Sequence, residues 1–183
     1  MSSQIRVFTP SSLLSFFIPI AALIYAVLGR NFLFLDYVHV ITGGTWTGID
    51  LFMGLVMSRV LRSLDPETRS KIIMRLTPLM LLFMPSLAST AITAGIYVAQ
   101  GLGIFSIHNP YIIAAGVVVF ILSVQGFGII LPNEVLIFME LRKGGGNRDK
   151  IVKLGMRNVY VSGSQVVFQI AIIFIMAILT VGI

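Results

Sequence analysis

The sequence predicts an all-α, polytopic membrane bundle of about five transmembrane helices, forming a single domain with a cytoplasmic N-terminus. Three observations predict it. Of the 183 residues 57% are hydrophobic and 11% charged, at a mean hydropathy of +0.98. A soluble domain carries about 25% charged residues, so this chain cannot wet its own surface and belongs in lipid. Five apolar stretches are each long enough to cross a bilayer as a helix, which takes roughly 20 residues. Lysine and arginine gather in two of the connections between these stretches and are missing from a third.

The predicted spans run over 12–29, 32–60, 72–99, 111–131 and 159–182. The first has only Arg6 as a basic flank, which predicts a retained helix rather than a cleaved signal peptide. It is an addition to a four-helix core over 32–183. Gly29, Arg30 and Asn31 make a tight join, predicting an antiparallel hairpin of the first two helices; one long span broken there is the alternative. Before the third span, Asp65 suits a helix cap, Pro66 the first helical position and Glu67 the first turn. Pro78 and Pro85 predict a bend in that span. Ser86, Ser89, Thr90, Thr93, Ala94 and Gly95 give it a small, weakly polar surface, read as helix packing. Pro110 starts the fourth helix, and "KGGGNRDK" reads as a flexible linker to the fifth.

Charge sets the direction. Arg59, Arg62, Arg69, Lys71 and Arg75 surround the second connection; Arg142, Lys143, Arg148, Lys150, Lys153 and Arg157 surround the fourth. The third connection, "GLGIFSIHNP", has no lysine or arginine. The positive-inside rule places both basic connections in the cytoplasm. The net charge of +6 is therefore a topology signal and an anionic-lipid contact. No aromatic–basic interleaving points to nucleic acid. The absence of cysteine excludes disulfides, thiolate haem ligation, iron–sulfur clusters and zinc–thiolate sites.

The chemistry-bearing residues lie in "YVHVITGGTWTGID", 37–50. His39, Gly43, Trp46 and Asp50 step by four, three and four, so they share one stripe of the second helix. Asp50 falls near mid-membrane, where a charge costs about 2.5–3.5 kcal/mol on insertion scales. It is expected to be protonated, paired or beside water. Gly43, Gly44 and Gly48 allow close approach of a helix or a flat cofactor. Asp36, one turn before His39, either orients its ring or lies solvated at the interface. His108, in the third connection, is the only other histidine and a candidate second ligand to one iron. Met80 and Met84 are read as packing. Asn133 and Asn158 fall at similar depth and predict an interhelical hydrogen bond; Gln165 and Gln169 share a face of the fifth helix. Pro132, Asn133 and Glu134 are placed near the cytoplasmic end of the fourth.

"HVITGGTWTGIDLFMG" resembles the histidine–small residue–tryptophan–glycine helix of a group of small membrane proteins. The group includes the HemJ-type protoporphyrinogen oxidases, CopD-like copper-resistance proteins and the membrane domain of urate-oxidase-like PuuD proteins. "LPNEVLIFMELRK" with "GMRNVYVSGSQVVF" is similar to the paired W-P-N and S-R-x-N patterns of the PuuD-like membrane domain. The likeness covers 32–183. It implies a bundle in which His39 binds haem b, with Trp46 as its motif partner. Leu131 stands where the pattern has tryptophan, Asn158 follows Arg157 directly, and no cytochrome c domain follows. These departures leave the specific activity open.

Three function classes follow. The leading expectation is a haem b-binding membrane redox or electron-transfer protein, with iron on His39 and His108, a quinone as possible electron partner, and a place as an oxidoreductase or as a subunit of a respiratory or oxidase complex. The second is proton or cation translocation through Asp50. The third is a structural subunit without chemistry. The expected partners are the lipid bilayer and either a second copy or a larger membrane complex.

Overall fold

The computed structural model describes residues 10–143 and 146–181. Arg6, Gly144 and Gly145 of the expected linker, and Gly182 of the last expected span lie outside them. Five helices form among the described residues: α1 (Pro10–Leu28), α2 (Phe32–Ser63), α3 (Pro66–Gly101), α4 (Pro110–Arg142) and α5 (Arg148–Val181). The last four are long and apolar enough to cross a membrane. α1 has 19 residues, about 28 Å at 1.5 Å each, close to the roughly 30 Å hydrocarbon core. Large apolar side chains face outward along the bundle, among them Phe120, Val167 and Phe174. The protein is a multi-pass membrane bundle.

Local chemistry explains the helix ends. Asn31, Asp65 and Asn109 accept hydrogen bonds from the first-turn amides of α2, α3 and α4, and Pro66 and Pro110 follow two of them. The α1–α2 join is as tight as expected. Gly29 N–H donates to Tyr25 O, Asn31 N–H to Ala26 O, and Arg30 takes a left-handed φ of 49°. In the α4–α5 turn Gly146 has φ 52°, and a Cβ there would meet Glu140 O at 2.7 Å.

The helices outrun the predicted spans, chiefly at the end where Lys and Arg collect. α4 was expected to stop at Leu131 and continues to Arg142. Pro132 has no N–H to give and its ring crowds the carbonyl one turn back. The backbone accommodates it with a wide π-turn over Gly126–Ile130. α2 carries a second π-turn over Phe52–Met57. α3 runs unbroken through Pro78 and Pro85.

α3 is the hub, packing against α1, α2, α4 and α5; α5 packs against α2, α3 and α4. Three apolar layers fill the interior. Ala26, Leu35, Val38 and Ala94 form the layer near the α1–α2 join. Trp46, Leu87, Ala88, Ala91 and Leu122 form the middle layer. Leu61, Ile73, Ile137, Ile151 and Val159 form the layer at the basic end. The small face of α3 serves packing: alanines admit α2, and Ser86 Oγ–H donates to Phe16 O of α1 at 2.6 Å.

Candidate functional site

Between the middle and basic-end layers lies a cavity of about 60 Å³. Asp50 of α2 and Glu134 of α4 both line it, with Trp46, Asn158, Ser162 and Gln165. Met53, Met80 and Met84 supply part of its apolar wall. At about 30 Å³ per liquid water, the space holds about two. The two carboxyls are 0% and 6% exposed, and Glu134 lies within the electrostatic reach of Asp50.

Each carboxyl arrives there for a local reason. Asp50 ends the inward stripe of α2, which turns Val38, Thr42, Trp46 and Asp50 into the bundle. Glu134 follows the π-turn of α4, whose extra residue per turn rotates the succeeding residues about the helix axis. Side-chain amides of α5 bracket that turn. Gln165 Nε2–H donates to Leu122 O at 3.1 Å and Asn158 Nδ2–H to Ile130 O at 3.2 Å. The expected Asn133–Asn158 bond is present, Nδ2–H to Oδ1, at 2.7 Å. Gln169 donates from Nε2 to Asp50 Oδ2 at 2.8 Å. Gln165 and Gln169 thus share the inward face of α5, as their spacing predicts.

Two carboxyl oxygens on the cavity wall are left without a partner. Buried side-chain atoms without a partner among the described residues are Asp50 Oδ1, Glu134 Oε2, Gln169 Oε1, Gln125 Oε1 and Thr90 Oγ1. The first two line the cavity. A buried acceptor without a donor costs about 1–3 kcal/mol, more when charged. Trp46 and Ser162 are donors within reach of the Asp50 carboxyl, so the acceptor left most fully without a donor is Glu134 Oε2.

Of the other predicted residues Trp46 lies on the cavity wall, and His39, Gly43 and His108 do not. His39 Nδ1–H donates to Ala91 O of α3 at 2.9 Å, so its recorded partner is a backbone carbonyl rather than Asp36. Its ring packs on Gly95, where an added Cβ would sit 2.7 Å from Cε1. Gly43 faces α3 at an ordinary contact, 4.0 Å from a built Cβ to Ala91 Cβ, while Gly44 and Gly48 face open space. Trp46 is buried in the middle layer. His108 is exposed in the α3–α4 connection. Neither histidine lines the cavity. Among the described residues no group of three or more His, Cys, Asp or Glu gathers to hold a metal. Met80 and Met84, read as packing, border the cavity. Glu134 is the residue that sequence reasoning missed. The Asn133–Asn158 register fixes the depth of Glu134, but not the face of α4 it takes, which the π-turn decides.

Compared with known protein families, curated proteins and solved structures, the chain has no match.

Proposed function

We propose that this membrane protein translocates protons, and that Asp50 and Glu134 take up the proton in transit. The observation that carries the reading is the meeting of two buried carboxyls, from different helices, at one cavity whose unpartnered polar atoms are acceptors. A charge on Asp50 near mid-membrane would cost about 2.5–3.5 kcal/mol on insertion scales, and a second on Glu134 would add to it. Packing alone would be better served by apolar side chains of similar size. A proton on either carboxyl removes one charge and supplies the donor the opposite oxygen lacks, directly or through a water in the cavity. Gln169 holds Asp50 in register through its bond to Oδ2. The cavity wall is largely apolar, which suits a proton better than a metal ion needing about six oxygens.

The test is flux in proteoliposomes with an imposed potential and an entrapped pH dye. Wild-type protein should acidify the lumen faster than protein-free vesicles. Asp50→Asn and Glu134→Gln, which keep size and fold, should each slow it at least about tenfold, the loss of a relay group. Unchanged flux in both folded variants would overturn the reading, as would flux that follows a sodium gradient alone.

A second reading, haem b on His39 with a quinone as electron partner, draws on one contact. The Nδ1–H bond to Ala91 O fixes the ring and leaves Nε2 as the lone-pair nitrogen, as partners of metal-bound histidines do. The carboxyl cavity does not serve that reading. It is far below the roughly 300–1,000 Å³ of small-molecule sites, and His39 is not on its wall. The purified protein would then be coloured, with a Soret band lost in His39→Ala; a colourless preparation from haem-supplied cells removes this reading.

A further inference from the structure

A second feature lies on the outside of α5, away from the carboxyl cavity and independent of it. Lys153, Arg157, Tyr160 and Ser164 step by four, three and four, so they form one outward stripe, and all four are exposed. With Met156 and Val161, also of α5, they line a shallow, open surface groove of about 540 Å³. Arg62, from the end of α2, brings its guanidinium to 6.0 Å from the Tyr160 ring centre. The ion pairs formed among the described residues are Lys71–Glu67, Lys143–Glu140 and Lys150–Glu140. Lys153, Arg157 and Arg62 are in none of them.

We propose that this groove binds an anionic phospholipid, with its phosphate between Lys153, Arg157 and Arg62. The order of side chains along α5 matches the order of groups in a lipid. The two cations come first, at the basic end. Tyr160 and Ser164 follow over about 16 Å of helix from Lys153, at the level of a glycerol and its esters. Exposed Val167, Ile170 and Phe174 continue the stripe where acyl chains run. Basic pockets beside membrane helices recognise such headgroups, and tyrosine favours the interface. A free phosphate would leave the apolar length of the groove uncovered. A second copy docked by twofold symmetry would set these same cations against each other.

The test uses the full chain purified in detergent, with phosphatidylglycerol and phosphatidylcholine as probes and native mass spectrometry as the readout. Wild-type protein should retain phosphatidylglycerol in preference to phosphatidylcholine. Retention should fall about fivefold for Lys153→Gln or Arg157→Gln and about 30-fold for both, at the surface affinity of one basic residue each. Arg75→Gln, which removes the same charge from α3, should leave retention unchanged. Thermal protection of the wild-type protein by phosphatidylglycerol over phosphatidylcholine checks the same preference without any substitution. Equal loss in Arg75→Gln would overturn the proposal by showing a diffuse field. Equal retention of the two lipids, displacement by soluble glycerophosphate, or a dimer sealed at this face would each overturn it as well.

Discussion

Gly54→Ala examines how the carboxyl site is held together. Gly54 lies in the π-turn of α2 and faces Gly163 of α5. A methyl on Gly54 would overlap the Cα and N of Gly163. Those atoms are backbone and cannot rotate away, so the helices must separate. Overpacking of this kind costs about 1–3 kcal/mol. The separation reaches the site, because Asp50 is one turn from Gly54 and Gln169 lies on the helix that must move. A shift of about 1 Å stretches their 2.8 Å bond beyond hydrogen-bond length, adding about 0.6–1.7 kcal/mol by the scale of bonds inside membranes. The expected total is about 2–5 kcal/mol. Gly48→Ala is the control: nothing lies within 4 Å of its Cβ, and alanine gains about 1 kcal/mol in helix propensity. Thermal unfolding in detergent, followed by size exclusion, should give a midpoint well below wild type for Gly54→Ala and at or above it for Gly48→Ala. Equal midpoints for the two variants would refute the close α2–α5 crossing.

Asn158→Leu strands Ile130 O and the Asn133 amide; it should cost about 0.6 kcal/mol per lost bond, up to about 1.7, and speed hydrogen exchange around the α4 π-turn. Gly95→Ala pushes against the His39 ring, so it should cost about 1–3 kcal/mol and shift the imidazole resonances as the Ala91 bond breaks. The Asp65 carboxylate is held below the ordinary aspartate value of 3.8 by hydrogen bonds from Thr68 and the first-turn amides of α3. Its folded value is depressed, so its cap is at full strength above that ordinary value and is lost as pH falls through the folded one. The protection of the Glu67 and Thr68 amides, taken against intrinsic exchange at each pH, should fall on acidification in wild type, and Asp65→Asn, which still caps, should remove that dependence.

Much of the fold is legible in residue order. Apolar length, the two basic connections and the Asn31, Asp65 and Pro110 signals place every described helix. Spacing alone also places the Asn133–Asn158 pair and the shared face of Gln165 and Gln169. Two features escape. The predicted span ends at Leu131, yet a π-turn carries α4 past Pro132 to Arg142, and π-turns have no periodic signature in the sequence. The meeting of Asp50 with Glu134 depends on how far α4 is rotated about its axis, which that same turn decides. His39 shows the opposite lesson: a polar ring inside a span invites a metal, while a backbone carbonyl on the next helix also satisfies its N–H.

Proton translocation by this route requires the Asp50–Glu134 cavity to accept a proton. The most direct measurement is pH-difference infrared spectroscopy of the protein in bilayers. On acidification a protonated-carboxyl C=O band should grow in wild type and be lost or displaced in both Asp50→Asn and Glu134→Gln, since each removes one member of a coupled pair. A band that is the same in all three proteins would contradict it.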